Sequence, residues 1–328
     1  MRETMTGNGA ISRTQAIAAL VVMGALFGAA FLFMKVLVDE ISPTEIVAGR
    51  MTLGAAAVLA IIAVRRVAFQ VNRKAIGKAT VLAVLDSVIP FTLVAWAETR
   101  IDSGTAAVLI STMPAFTVLI AALALPDERL APVRLLGIPL GFLGVITLSG
   151  GDVLNVTSGN AIGQLAVVGA AASYGVAAVY AKVLLKTEDA LSLTGTKLAC
   201  GAVLASLMVF ATEGSPGYGA LSAEGVAALL ALGILSTAIG FTLYIWYVGA
   251  AGSVYASMVT YVVPVFGLLL GWTVLGESIG VETALGAGLI AIGVAIVMYG
   301  PKFLPAGRSE ERPGAQPAPA LVAKEEYA

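Results

Sequence analysis

Long apolar runs separated by short polar breaks make up nearly the whole chain. A transmembrane helix needs about 17–25 mostly apolar residues, and ten runs reach that length. The predicted spans are 15–37, 44–64, 76–97, 103–125, 132–150, 160–184, 191–212, 223–247, 253–275 and 281–300. Several breaks are only a few residues long, so neighbouring helices are expected to run antiparallel. The pattern therefore predicts an all-α polytopic membrane protein with ten transmembrane helices.

The second half of the chain repeats the first at an offset of about 147–150 residues. DSVIPFTLVAWA (86–97) aligns with STAIGFTLYIWY (236–247), and SGTAAVLISTMPAF (103–116) aligns with SVYASMVTYVVPVF (253–266). Each repeat contains five predicted spans, and because five is odd the second repeat must enter the membrane from the opposite side. Two inverted five-helix repeats are typical of secondary transporters, which bind substrate between the halves near the midplane. The alternative is an old duplication that was kept for folding alone.

Lysine and arginine residues predict the orientation of the helices. The N-terminus, the C-terminal tail and the 2–3, 4–5 and 6–7 loops hold 15 of them, whereas the opposite loops hold only Arg100. Both termini are therefore expected to be cytoplasmic, in a multi-pass protein of the cell inner (plasma) membrane. The first apolar run is longer than the core of a secretory signal, about 7–15 residues, so it is interpreted as a retained span. The predicted organisation is a cytoplasmic N-terminal segment (1–14), two five-helix repeats (15–150 and 151–300) and a disordered cytoplasmic tail (301–328).

Composition restricts the function further. Hydrophobic residues make up 59% and charged residues 12% of the 328 positions, so lipid is the expected surrounding. The net charge of −1 gives no reason to expect nucleic acid, and the single cysteine, Cys200, excludes an internal disulfide. The chain has no histidine, the commonest metal ligand and general base, and no Walker motif for ATP hydrolysis. No cofactor or metal is predicted, and an integral membrane enzyme, a channel or a scaffold is disfavoured against a transporter.

An ordered set of features, present in both halves, resembles the EamA-type transporters of the drug/metabolite transporter superfamily. Each half has a cation in its second span, a proline in its fourth, a glutamate after that span and a glycine-rich fifth span. These residues are Arg50, Pro114 and Glu128 in the first half and Lys197, Pro264 and Glu277 in the second. The resemblance covers residues 15–300 and implies export of amino acids and related metabolites by alternating access around a central cavity. Relatives also move nucleotide sugars, triose phosphates or drugs, and the first-span glutamate of the small multidrug members has no counterpart in spans one and six.

Asp86 is the only carboxylate deep inside a predicted span. It lies about 11 residues from either end, which is roughly 16 Å deep at the helical rise. Ionisable residues at such depth face the protein interior and often mark a transport pathway. Two interpretations stay open: Asp86 serves transport, with proton coupling if it titrates, or it forms a structural pair with Arg50 or Lys197.

Prolines and aromatic residues complete the candidate cavity. A proline inside a span frees a backbone carbonyl that must line a cavity or find another donor, and a deep tyrosine needs a polar partner. A tryptophan near a span end could instead be an interfacial anchor. The candidate cavity residues are Phe27, Asp86, Pro90, Trp96, Pro114, Tyr174, Tyr244, Trp246, Tyr255, Tyr261 and Pro264.

The two cations in the second spans have two possible roles. Arg50 and Lys197 should lie about 10 Å inside opposite faces of the membrane by the helical rise. They either hold each half together as ion pairs or helix caps, which is slightly favoured, or attract a substrate carboxylate. The expected partners are a small-molecule substrate and the lipid bilayer. A homodimer through the glycine-rich fifth span stays open, because glycines at that spacing also explain packing within the bundle.

Overall fold

Helices form the regular structure of this protein. The computed structural model describes residues 13–66, 69, 73–124, 134–148, 159–185, 189–251, 256 and 258–303, and no strand occurs within them. The α-helices are α1 (Arg13–Val38), α2 (Pro43–Val64), α3 (Arg73–Ala83), α4 (Ile89–Glu98), α5 (Ser103–Ile110), α6 (Met113–Ala124), α7 (Arg134–Leu148), α8 (Gly159–Leu184), α9 (Ala190–Thr212), α10 (Ala223–Ala231), α11 (Gly240–Ala251), α12 (Val259–Val274) and α13 (Val281–Phe303). Two π-helical segments, Val84–Val88 and Leu232–Ile239, join α3 to α4 and α10 to α11.

Within the described residues, seven helical segments are long and apolar enough to cross a membrane. They are Thr14–Val38, Pro43–Val64, Arg73–Glu98, Ser103–Ala124, Gly159–Leu184, Ala190–Thr212 and Ala223–Ala251. Three shorter apolar helices, Leu136–Leu148, Val259–Val274 and Val281–Ile296, fall inside the three remaining predicted spans. The all-α polytopic membrane architecture is thus confirmed, whereas ten transmembrane helices and cytoplasmic termini stay predictions.

Polar side chains define where helices begin after the breaks. Ser42 and Glu45 form a capping box on α2: the Ser42 hydroxyl accepts from the Glu45 N–H at 3.3 Å, and the Glu45 carboxylate accepts from the Ser42 N–H at 2.9 Å. Asp189 caps α9 by accepting from the Ser192 N–H at 2.9 Å. These contacts satisfy backbone N–H groups that have no partner inside their own helix.

The most extensive helix contacts join the first half of the chain to the second. Helix α7 packs against α13, α2 against α9, α1 against α12, and α6 against α8. Under the sequence repeat, α2 corresponds to α9 and α7 to α13, while the α1–α12 contact corresponds to the α8–α6 contact. The packing therefore follows the internal repeat, and the centre of the bundle is the boundary between the halves.

Glycine permits the equivalent α1–α12 and α8–α6 contacts. A Cβ added at Gly28 would lie 2.6 Å from Phe266 Cβ, and one added at Gly175 would lie 2.9 Å from Phe116 Cβ. Both distances are shorter than ordinary carbon–carbon contacts of about 3.5–4.0 Å. Each glycine therefore lets its helix approach a phenylalanine of the other repeat.

The glycines of the predicted fifth span pack inside the same chain. A Cβ added at Gly144 of α7 would lie 2.8 Å from the Gly286 carbonyl oxygen of α13, and one at Gly293 would lie 2.7 Å from the Gly137 carbonyl oxygen. Backbone approach of this kind is the usual effect of small residues between membrane helices. The contact between α7 and α13 accounts for these glycines without a second copy, and the homodimer stays a prediction.

Candidate functional site

The two π-helical segments occupy equivalent positions in the two repeats and lie midway along their spans. Wider turns of this kind occur frequently at functional sites in α-helices. In the first segment the N–H of Ile89 bonds to the Val84 carbonyl, one residue further back than in an α-helix. Pro90 follows this segment and could by itself disturb the helix, but Gly240 occupies the equivalent position after the π segment of the second repeat. The wider turn therefore does not require a proline.

Asp86 and Lys197 form an ion pair between the two repeats. Asp86 lies in the first π segment and Lys197 in α9, and both side chains are buried. Of the two cations that the sequence offered as partners, the structure thus places Lys197 against Asp86. Burying a charge away from water is costly unless it is paired, and this contact pairs both charges.

Each buried cation also lies over a phenylalanine ring, at equivalent places in the two repeats. The distance to the ring centroid is 3.6 Å from Arg50 Cζ to Phe91 and 3.9 Å from Lys197 Nζ to Phe241. The two rings meet edge to face across the repeat boundary, with centroids 5.7 Å apart. A desolvated cation gains about 2 kcal/mol or more from such a ring. The phenylalanine of the repeated FTL sequence therefore links the two halves and holds a charge.

Arg50 differs from Lys197 in having no acidic partner of this kind. Its Nε donates to the Thr237 hydroxyl at 3.2 Å, and its Nη1 lies 3.4 Å from Met34 Sδ. It forms no ion pair with any residue that the structure describes, although its side chain is only 2% exposed. Ser236 occupies the position of Asp86 in the second repeat and provides no charge. A buried positive charge is therefore available to a negatively charged group of a ligand.

These groups border a cavity of about 90 Å³ at the boundary between the repeats. That volume has room for about three water molecules at about 30 Å³ each. Most of its wall is apolar or aromatic, and Arg50 and Asp86 supply the charges. A largely apolar pocket with a few converging polar groups is the usual form of a small-molecule site.

Tyr244 adds an unused hydrogen-bonding group to this cavity. Its side chain is 6% exposed, and its hydroxyl has no hydrogen-bond partner. The ring is fixed by Phe27 and Phe241, with centroid distances of 6.3 and 6.4 Å. A buried hydroxyl without a partner is uncommon, so this donor is available to a ligand.

Several residues predicted from the sequence lie together here. Phe27, Arg50, Asp86, Tyr174 and Tyr244 line the cavity, and Lys197 adjoins it through Asp86. Other lining residues were not anticipated: Phe31, Met34, Phe91, Ile110, Met113 and Phe241. Their apolar side chains gave no signal in so apolar a chain, although the recurrence of Phe91 and Phe241 in the repeat could have marked them.

The predicted tryptophan walls lie elsewhere. Trp246 is 43% exposed. It follows the inward-facing Tyr244 by two positions, or about 200° around the helix, and so points to the opposite face. Trp96 lies at the end of α4, with Arg100 Cζ 3.7 Å from its ring centroid. Pro90, Pro114, Tyr261 and Pro264 also do not line this cavity, and Tyr255 lies outside the described residues.

Glu98 was missed by the sequence reasoning. The predicted span ended at residue 97, so this glutamate counted as part of a loop. In the structure it is the last residue of α4 and is 0% exposed. Both of its carboxylate oxygens lack a hydrogen-bond partner. A span boundary set by hydropathy alone gives no indication of such burial.

Polar contacts join the two repeats at one end of the bundle, where α1 and α4 end and α2 and α5 begin. We call this the distal end. The Glu277 carboxylate accepts from the N–H groups of Ser103 and Gly104, at 2.8 and 3.0 Å, and so caps α5 of the other repeat. The Glu40 carboxylate accepts from both the N–H and the hydroxyl of Ser222, each at 2.7 Å. These bonds from Ser222 lower the pKa of Glu40.

A second set of distal contacts surrounds the start of α2. The Tyr218 hydroxyl donates to the Glu45 carbonyl at 2.8 Å, and the Gly217 N–H donates to the Glu45 carboxylate. Burial raises the pKa of Tyr218 to about 12, so its hydroxyl stays protonated as a donor at neutral pH. The distal end is thus closed by hydrogen bonds between the halves.

Comparison with known proteins gives a consistent family. The EamA-like transporter family matches residues 14–150 and 161–299. "Uncharacterized transporter YoaV" of Bacillus subtilis is 28% identical over 269 residues, covering 82% of this chain and 91% of that protein. "Probable terminal-alkyne amino-acid exporter" of Streptantibioticus cattleyicolor is 32% identical over 212 residues, covering 63% and 66%. A solved crystal structure shares the fold, with a TM-score of 0.65 at 21% identity over 89% of this chain and 100% of that one.

Proposed function

Because the chain belongs to the EamA-like transporter family, we propose that it is a secondary transporter that exports small metabolites, foremost amino acids. Solute would bind in the central cavity, and the two repeats would expose it alternately to the two sides of the inner membrane. Arg50 is the main observation in favour of this cargo, since it is a buried cation at the cavity without an ion-pair partner among the described residues. The Streptantibioticus cattleyicolor relative, named as a probable terminal-alkyne amino-acid exporter, supports the same broad class.

An amino acid matches the chemistry of the cavity. Its carboxylate would pair with Arg50, whose planar guanidinium favours carboxylates. The Tyr244 hydroxyl could bond either the carboxylate or the amino group, and Asp86 provides negative charge for an ammonium group. The apolar wall then suits an aliphatic or aromatic side chain.

The principal alternative is another cargo of the same superfamily. A sugar phosphate or nucleotide sugar would also offer an anionic group to Arg50, and a drug would suit the aromatic wall. The cavity volume of about 90 Å³ favours a small solute over a nucleotide sugar in this conformation. An integral membrane enzyme is less favoured, because no cluster of three potential metal ligands occurs among the described residues and relatives are named as transporters.

A counterflow screen of the purified protein in liposomes tests the proposal. Unlabelled amino acids inside should accelerate the uptake of a labelled one, and uptake should saturate. Sugar phosphates and nucleotide sugars serve as alternative cargoes. If no amino acid supports counterflow while one of these solutes does, the proposed cargo is wrong.

Replacing Arg50 by glutamine tests its role in binding. A hydrogen bond to a charged group is worth about 1.5–3 kcal/mol, so Arg50→Gln should lower the apparent affinity for amino acids by roughly tenfold to a hundredfold. The measurement is competition in the counterflow assay. Amino-acid amides, which lack the carboxylate, should compete equally with the wild type and the variant.

Arg100→Gln is the matched control, because Arg100 also lies over an aromatic ring but is exposed at the distal end. It should keep wild-type competition constants. Equal affinity of the Arg50→Gln variant and the wild type for amino acids would show that Arg50 does not hold the carboxylate.

A further inference from the structure

Glu98 lies buried beneath the distal end, at the point where α4 stops. Its side chain is 0% exposed, and neither carboxylate oxygen accepts a hydrogen bond. The Ser103 hydroxyl, at the start of the next helix, is also buried without a partner. Only four residues separate Glu98 from Ser103, so polar groups without partners collect at this turn.

The ammonium group of Lys35 bonds to backbone carbonyls instead of to this carboxylate. Lys35 Nζ donates to the backbone carbonyls of Glu98 and Ile101, at 2.7 and 3.1 Å. It thus caps the end of α4, and no hydrogen bond joins it to the Glu98 carboxylate. The charge of Lys35 still attracts the ionised form of the Glu98 carboxyl. It does not form with that carboxyl the close contact that Lys197 makes with Asp86.

Charged groups of several neighbouring elements act on this carboxyl. Arg50 of α2 attracts its ionised form, as Lys35 of α1 does, and Glu277, in the segment before α13, repels it. Arg100 and Asp102 follow it in the chain and are exposed. Helix α8 packs against α4 here, and its only charged residue, Lys182, lies at the opposite end of that helix.

An ionised carboxylate cannot be buried at low cost without a hydrogen bond. Such groups take up a proton instead, because transfer of the charge out of water is too unfavourable. We propose that Glu98 is a proton-binding site, and that it carries a proton whenever the distal end is closed. A protonated carboxyl requires no counter-charge and leaves Lys35 free to cap α4.

This site makes export depend on the distal pH if the chain exports solute as proposed above. After releasing solute, an exporter must close its distal end again before it returns. Opening hydrates Glu98 and lets it lose its proton to the distal side, and closing requires it to take a proton back from that side. The proton is taken from and returned to the same side, so Glu98 controls closure without carrying protons across the membrane.

Infrared spectroscopy tests the site without a cargo. At neutral pH the wild-type protein should show a carboxylic-acid C=O band that is absent from Glu98→Gln, with no solute added. Glu224→Gln is the matched control, since Glu224 is exposed to solvent on α10, and it should leave this band unchanged. Identical spectra of the wild type and Glu98→Gln in this region would overturn the proposal, whatever the protein transports.

Flux measurements test the dependence of closure on the distal pH. Wild-type efflux of a counterflow substrate should rise as the medium on the distal side is acidified, and that of Glu224→Gln should rise equally. Glu98→Gln, permanently neutral, should keep counterflow within about twofold but lose the response to pH. A retained pH response in Glu98→Gln, or a response of the wild type to sodium instead of pH, would overturn proton-dependent closure through this residue.

Discussion

Lys197 is fully buried, and Asp86 is its acidic partner. Breaking a buried pair by removing one partner costs about 3–5 kcal/mol, because the other charge is left uncompensated. Replacing both partners by apolar residues of similar volume is often neutral or stabilising. The contribution of this pair to folding can therefore be separated from any contribution to transport.

We expect the single variants Asp86→Leu and Lys197→Met to unfold at lower temperature than the wild type. The double variant should recover most of the loss, since no charge is then left buried. Thermal unfolding of the four proteins in detergent measures this. Additive losses in the double variant would mean that the two side chains do not stabilise each other.

At the residue scale, sequence reasoning found charges more readily than their partners. Asp86, Arg50 and Lys197 were prominent because ionisable residues are rare inside apolar runs. Two cations were equally available to Asp86, and only packing placed Lys197 against it. Phe91 was overlooked, since one more phenylalanine among many apolar residues is not informative by itself.

Helix packing at the element scale depends on glycines that face phenylalanines of the other repeat. Gly28 of α1 meets Phe266 of α12, and its equivalent Gly175 of α8 meets Phe116 of α6. A methyl group at either glycine would have to displace a helix, because its nearest neighbours include backbone atoms. These contacts determine how the first helix of each repeat packs against the other repeat.

Gly28→Ala should therefore destabilise the protein, by about 1–3 kcal/mol as for other overpacked sites. Gly169→Ala is the control: it lies on α8, and an added Cβ would only make ordinary contact, 3.8 Å from Leu93 Cδ1. That substitution should be neutral or stabilising by up to about 1 kcal/mol, as expected for alanine in a helix. Unfolding in detergent distinguishes the two, and equal stability of Gly28→Ala and the wild type would contradict this packing.

Hydropathy predicted where most helices lie but not how their turns are wound. The predicted spans 44–64, 160–184 and 191–212 agree closely with α2, α8 and α9. The π segments were not predicted, because a run of apolar residues looks the same in either kind of turn. Pro114 follows a true break between α5 and α6, whereas Pro264 lies inside α12.

For the whole molecule, the distal contacts determine which side of the central cavity is closed. Carboxylates of one half bond backbone N–H groups of the other, as Glu277 does with Ser103 and Gly104. Such bonds are stronger than those between neutral groups. Alternating access would require them to break together when the distal end opens.

Glu277→Ala should shift the molecule towards a distally open state. The readout is labelling of Ser103→Cys by a membrane-impermeant maleimide in a Cys200→Ser background, because Ser103 is 0% exposed in the closed form. Labelling should become several-fold faster in Glu277→Ala and should not change in Glu224→Gln. Unchanged labelling in Glu277→Ala would show that this contact does not hold the distal end closed.

The two repeats differ in the partner of their buried cation: Lys197 contacts the carboxylate of Asp86, whereas Arg50 contacts the hydroxyl of Thr237. Two identical halves related by a two-fold axis in the membrane plane would present the same site to either compartment, with equal half-saturation concentrations on both sides. With a carboxylate in one half only, the inner and outer half-saturation concentrations are free to diverge. For a solute that moves without a coupled ion, the ratio of maximal rate to half-saturation concentration must be the same in both directions. The maximal rates of inward and outward transport would therefore differ by the same factor, which makes the chain a kinetically asymmetric carrier.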